Sequence, residues 1–190
     1  MTNLSWNCHV SGTPWAFQFL KEIILQKHPD FVFLSEILCR RDTVERLQTT
    51  IGFEGMVVVE TQGHSGGIVF LWRHKEEATL KSYNKNHIDL QIVNKNGEEY
   101  RMIGVYGEPD RRKRCDIWNL LRTLAMDNSL PWCLIGDLNN VVSQNDKRGG
   151  RPYLESLIQG FREVLDDCNL IDIDLHDHQY TWEMALEVQN

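Results

Sequence analysis

The sequence predicts an α/β domain whose sheets are mixed rather than wholly parallel. Three observations lead there. The chain has 190 residues, the size of one ordinary domain or slightly more. Apolar residues make up 42% and charged residues 25%, which supplies a core and sets the chain apart from disordered compositions. Strand-like and helix-like segments alternate throughout, and a hairpin turn signal between two strands demands at least one antiparallel pair.

Residues 4–7 read as a short strand ending in a turn. Thr13-Pro14 then offers an N-cap followed by a proline in the first helical turn. Ala16, Phe19, Leu20, Ile23 and Ile24 fall at helical spacing, and Pro29 closes that segment. Residues 30–36 are apolar and β-branched enough for a buried strand. Asp42 with Glu45 resembles a capping box that opens a short helix. From residue 53 to 106 the text is mainly strands, at 56–60, 67–72, 79–83, 87–93 and 100–106. The run from His87 alternates with period two, which predicts a half-exposed strand. Asn94-Lys95-Asn96-Gly97 is the hairpin turn, its Asn-Gly pair supplying positive φ. Residues 110–127 read as a helix with Ile117, Leu120, Leu121 and Leu124 inward, and residues 132–136 as another buried strand. Residues 153–168 form an amphipathic helix with Leu154, Leu157, Ile158, Phe161 and Leu165 on one face. Trp15, Trp72, Trp118 and Trp132 are assigned to packing. There is no repeat and no low-complexity tract.

Twenty Lys and Arg against 27 Asp and Glu give a net charge of −7. That excludes a histone-like protein whose affinity comes from bulk positive charge. It leaves nucleic-acid processing open, because a metal site needs carboxylates. No stretch approaches the roughly 20 apolar residues that cross a bilayer. The first residues show neither a basic nor an apolar leader region. Five cysteines, odd in number and without a CxxC pair, fit buried free thiols better than a zinc site or disulfides. The expectation is a soluble intracellular protein of the nucleus or cytoplasm, with no membrane and no obligate protein partner.

Four polar signals share one place in the pattern, the end of an apolar strand. They are Asn7, Glu36, Tyr106 and the pair Asp137 and Asn139. Neighbouring strand ends in α/β proteins converge on one crevice, where ligands bind. Each signal alone has a plain alternative. Asn7 reads as a turn residue, Glu36 as a solvated strand end, Tyr106 as an amphipathic core residue and Gly136-Asp137 as a turn. Together they point to one site built from distant sequence.

At these residues the chain resembles the endonuclease/exonuclease/phosphatase superfamily of metal-dependent phosphoesterases. Within it, the similarity is to the endonuclease-like domain of plant LINE-type (non-LTR) retroelements. Seven ordered boxes carry the resemblance. The first three are Leu4-Ser5-Trp6-Asn7-Cys8, the stretch from Pro29-Asp30 through Glu36, and Gly52-Phe53-Glu54-Gly55. Ser65-Gly66-Gly67 and Val105-Tyr106-Gly107-Glu108-Pro109 follow. The last two are Pro131-Trp132 through Gly136-Asp137-Leu138-Asn139, and Tyr180-Thr181-Trp182. They span residues 4–182 as one domain, with residues 183–190 as a divergent tail.

The resemblance implies a two-sheet α/β sandwich with outer helices, of the DNase I-like kind, cutting phosphodiesters with Mg²⁺ or Mn²⁺. It makes Glu36 the principal metal carboxylate with Asn7 beside it. Asp137 becomes the carboxylate that orients or deprotonates the attacking water, Asn139 the amide that holds that geometry, and Tyr106 the phenol that bonds the phosphate. In-line attack on an anionic phosphate needs this positioning and charge neutralisation. His64, Arg111 and Arg112 are candidate substrate contacts. His64 replaces a common family Arg, and a solvated helix start is the competing reading of the basic run at residues 111–114. DNA is the implied partner.

The family pattern continues past Tyr-Thr-Trp to a closing Ser-Asp-His box and its strands, whereas this chain ends eight residues after Trp182. The expectation is therefore a weak or inactive enzyme with an uncovered sheet edge. His176-Asp177-His178 precedes the Tyr-Thr-Trp box and reads as a solvated loop rather than a substitute. Two alternatives stand beside the nuclease: a phosphatase of small phosphoesters, and a non-catalytic remnant that retains metal or nucleic-acid binding.

Overall fold

Two four-stranded mixed sheets, face to face, carry the first part of the fold. The structure is a computed structural model and describes residues 1–8, 14–60, 66–126, 130–173 and 182–183. Its contacts divide the chain into two compact units, Met1–Gly107 with Asn128–Leu138, and Glu108–Asp127 with Asn139–Asn190.

In the first unit, β1 (Asn3–Asn7) lies parallel to β2 (Phe31–Ile37), the two joined through α1 (Pro14–Lys27). β2 pairs antiparallel with β4 (Gly67–Trp72), and β4 with β3 (Gly55–Val59), giving the order β1-β2-β4-β3. The second sheet runs β5 (Ala78–Asn84), β6 (His87–Val93), β7 (Glu99–Tyr106) and β8 (Trp132–Asp137). Its first three strands are antiparallel and β8 is parallel to β7.

Phe31, Phe33, Ile68 and Phe70 of the first sheet meet Ile88, Leu90, Ile92 and Met102 of the second in one core. Alternate residues of β2 and β4, among them Val32, Leu34, Val69 and Leu71, face the other way. They meet Leu20 and Ile24 of α1 and Val44, Leu47 and Ile51 of α2 (Arg41–Ile51). Burial on both faces explains why residues 31–34 read as a continuous apolar run instead of an alternating one. Each such side chain contributes about 1.5–3 kcal/mol. The sandwich with flanking helices is the architecture expected from the sequence.

In the second unit, a 3₁₀ turn at Arg111–Lys113 leads into α3 (Arg114–Met126), which packs on α4 (Glu155–Asp167). Ile117, Leu121 and Leu124 are buried on α3, and Ile158, Phe161 and Val164 on α4. Arg122 bridges to Asp167 at 2.7 Å. A parallel pair of two-residue strands, β9 (Lys147–Arg148) and β10 (Trp182–Glu183), has no counterpart in the sequence reading. No described helix is long and apolar enough to cross a membrane.

Several local expectations are corrected. α2 starts at Arg41 with Arg40 as its cap and no side-chain cap bond, so Asp42 and Glu45 form no capping box. Glu45 instead accepts a bond from Arg41 Nε at 2.9 Å, and Asp42 adds a favourable charge to the first turn. The β6–β7 hairpin closes through residues 94–98, and only Gly97 takes positive φ (79°). The Asn94 side chain satisfies the loop, accepting from the N–H groups of Asn96 and Glu98. β6 is buried on both faces, because His87 and Asp89 are 4% and 2% exposed. Trp15 is 69% exposed, Leu154 is exposed ahead of α4, and Cys115 is an exposed thiol. The Thr13 cap lies outside the described residues, as does the His176-Asp177-His178 cluster.

Candidate active site

Strand direction gathers the candidate residues. β1 and β2 run parallel with Asn7 opposite Ser35, so Asn7 and Glu36 leave the first sheet at the same edge. β7 and β8 run parallel with Tyr106 opposite Asp137, so these two end the second sheet together. All four side chains are half-buried.

The Asn7 amide joins the two sheets. Its Nδ2 donates to Glu36 Oε1 at 3.0 Å and to Asp137 Oδ2 at 2.9 Å. The Tyr106 hydroxyl donates to the same Glu36 oxygen at 2.7 Å. One neutral amide thus holds two carboxylates close together, an arrangement that like charges oppose and a cation relieves. Glu36 and Asp137 offer hard oxygens, and Asn7, whose Nδ2 is turned to them, could ligate only through its Oδ1. Mg²⁺ suits such a set because it binds one or two carboxylates and keeps several waters. Among the described residues no group of three His, Cys, Asp or Glu is clustered as a metal cage. Cys8, next in sequence to Asn7, is a buried free thiol. Burial, then Cys39 and Glu36 nearby, push its thiol up to about 12.

The backbone is shaped to aim these groups. Glu36 has φ 56°, a left-handed conformation that a non-glycine residue rarely adopts, at an irregularity in the β2–β4 register between Leu34 and Ile37. Such strain persists where surrounding structure over-determines it, and it concentrates at functional sites. Gly66 permits it, since a Cβ there would collide with the Glu36 backbone. Gly107 does the same on the second sheet. Its N–H donates to the Asp137 carbonyl at 2.7 Å, and a Cβ would strike the Leu138 backbone. Cys8 N–H donates to the Ser35 carbonyl at 2.8 Å and fixes the end of β1 beside Glu36.

Asn86 was not singled out in the sequence, yet it sets Tyr106. Its carbonyl accepts from Tyr106 N–H at 2.8 Å, and its Nδ2 donates to the Tyr106 carbonyl at 2.9 Å. The signal available was the short polar stretch Asn84-Lys85-Asn86 between two strands. Its length marks a tight turn but says nothing of what the turn touches.

The other candidates belong to the second unit or fall outside the described residues. Asn139 belongs to the second unit, with φ 52° and its carbonyl accepting from the Tyr153 hydroxyl at 3.1 Å. Arg111 and Arg112 also belong there and are exposed. The Arg111 guanidinium lies 5.4 Å from the Tyr153 ring centre, while Arg112 pairs with Asp110 at 2.9 Å. Hydrogen bonds from Arg112 hold the Asp110 carboxyl down to about 2. His64 lies outside the described residues.

Comparison with known proteins bears on the family and the fold. The sequence model of the endonuclease/exonuclease/phosphatase family matches residues 4–186. No curated protein sequence gives a match. Among solved structures, the chain resembles the 3′ phosphatase NExo from Neisseria, bound to product DNA hairpin. The TM-score is 0.66 at 16% identity, covering 88% of this chain and 71% of that one. It also resembles the endonuclease domain of TRAS1, a telomere-specific non-LTR retrotransposon, with TM-score 0.60 at 14% identity over 87% of this chain and 71% of that one. The human nocturnin catalytic domain gives TM-score 0.56 at 15% identity over 73% of this chain, which spans 64% of the nocturnin domain's length. At such identities the structures speak for the fold, and the sequence model speaks for descent. With that model matching residues 4–186 of the 190 and the sandwich to go with it, the chain belongs to the endonuclease/exonuclease/phosphatase family.

Proposed function

We propose that this chain is a divalent-cation-dependent phosphodiesterase acting on DNA, of the kind found at the head of non-LTR retroelement proteins. The observation that carries the reading is the Asn7 amide bridging Glu36 and Asp137 at the shared edge of two sheets. In this reading Glu36 and Asn7 hold Mg²⁺ or Mn²⁺. When bound, the cation neutralises phosphate charge and assists formation of the nucleophile.

The chain's own groups do the rest. Asp137 accepts a proton from the attacking water, as a general base at a strand end. Asn139 orients that water through its amide. Tyr106 directs its hydroxyl, which donates to Glu36 in this structure, toward a phosphate oxygen. Arg111 and Arg112 contact flanking phosphates, along with His64.

Substrate class is tested by incubating the chain with supercoiled plasmid and, separately, with p-nitrophenyl phosphate, each with Mg²⁺. Conversion of plasmid to open circles with little phosphate release is the expected result. Phosphate release without nicking overturns the DNA reading in favour of a small-phosphoester phosphatase. The nicking rate itself measures how far the expectation of weak activity holds.

A further inference from the structure

Of the aromatic rings on α1, Phe17 packs on the core, whereas Trp15 is unexplained by core packing. Trp15 and Phe19 are 69% and 40% exposed. Their rings stack with centres 5.6 Å apart and planes 6° from parallel. Phe19 in turn meets the ring of Trp6, edge to face, at 5.7 Å. Trp6 immediately precedes Asn7 on β1 but faces the helices while Asn7 faces the second sheet, so the line of three rings starts one residue from the site, on the outer face of the first sheet.

Topology fixes which end of the sandwich the rings occupy. β1 and β2 are parallel neighbours, so α1 must run back from the end of β1 to the start of β2. Its first turn, with Trp15, therefore lies toward the strand edge that carries Asn7 and Glu36. Along this stripe the helix then turns polar, and the next exposed apolar side chain, Leu25, lies about 80° round the helix from Trp15. Glu22 and Gln26 continue the same helical stripe and are exposed and polar. Two rings supply about 150–250 Å² each at most, short of the roughly 800 Å² that a stable protein partner covers. A flat ring face of this size, on the edge of a site built for a phosphate, matches one unpaired nucleobase.

We propose that Trp15, backed by Phe19, is a stacking platform for an unpaired base of the nucleic acid bound at the candidate site. This deepens the reading of the site as one acting on DNA and rests on it for the class of ligand. Stacking is tolerant of base identity, so the platform selects unpaired over paired nucleotides instead of a sequence.

The test is equilibrium binding, without metal, of three fluorescent duplexes: blunt, with a short single-stranded extension, and with the same extension made of abasic nucleotides. The phosphates of the two extensions are identical, so only stacking separates them. The chain is expected to prefer the base-bearing extension over the abasic one about tenfold. Trp15→Ala should erase that preference while leaving blunt-duplex affinity unchanged, and Trp15→Phe should keep most of it. Circular dichroism and urea unfolding establish that the variants are folded. Equal affinity for the two extensions, or a preference that survives Trp15→Ala, overturns the proposal. So does self-association that Trp15→Ala abolishes without any base preference, since the rings would then cover a second copy. A preference without plasmid nicking would contradict the phosphodiesterase reading and leave the platform standing. Nicking without a preference does the reverse.

Discussion

Glu36 is the residue on which the site turns, and its conformation depends on an atom that is missing thirty positions away. With φ at 56° it leaves β2 at a register irregularity, and Gly66 gives its backbone room. Gly66→Ala should therefore destabilise the first sheet by about 1–3 kcal/mol, read as a lower urea midpoint, and slow plasmid nicking as well. Asp137→Asn should lower the nicking rate about 10²–10⁴-fold while leaving the urea midpoint nearly unchanged. Retained activity in Asp137→Asn would remove this residue from the chemistry. The identities of Asn7, Glu36, Tyr106 and Asp137 were legible in the sequence because each ends an apolar run. Their mutual bonding was not, since it arises from parallel pairing of strands far apart in sequence. Asn86 stayed hidden because a polar turn residue gives no sign of which strand end it meets once β6 and β7 pair antiparallel.

Among the elements, β6 and β7 show where pattern reading fails. Strand His87–Val93 alternates polar and apolar residues, and the sequence expectation was a solvated polar face. In the structure Asp89 meets Arg101 of β7 at 2.6 Å, both almost fully buried, and the Arg101 guanidinium lies 6.0 Å from the Trp132 ring centre. Alternation reports which residues are polar, and only the neighbouring strand decides whether they are wet. Arg101→Met alone should cost about 3–5 kcal/mol by stranding a buried carboxylate. Combined with Asp89→Leu the loss should shrink, which a double-mutant cycle in urea measures. A double variant no better than the single one would show that the pair is not a unit. His87, on the same face of β6, gives a pH signature. Burial holds its imidazole below the ordinary 6.5; Asp89 pulls it back up, while Arg101 adds to the depression. Below pH 6.5 the unfolded chain then binds more protons than the folded one. The stability present above that pH is lost as the pH falls toward the folded value. Urea midpoints should drop more steeply from about pH 7.5 to about 5.5 in the native chain than in His87→Gln. Parallel slopes would contradict this.

For the whole molecule, composition and alternation were enough to read an α/β chain with mixed sheets, and most strands fall within one or two residues of expectation. The order β1-β2-β4-β3 was not readable from the residues, because apolar runs announce strands without naming their neighbours. The two-sheet sandwich came through the resemblance carried by the seven boxes. The net charge of −7 sets the conditions under which the proposed DNA substrate would be bound. Bulk attraction is absent, so in this reading binding rests on local basic groups, and it should weaken steeply with added salt. The most direct measurement is plasmid nicking by the native chain with and without Mg²⁺, beside Asn7→Ala, Glu36→Ala and Asp137→Ala. Mg²⁺-dependent open circles from the native chain, lost in all three variants, are the predicted result. No nicking by the folded native chain, or nicking that persists in the variants, would contradict a phosphodiesterase built on the bridge between Glu36 and Asp137.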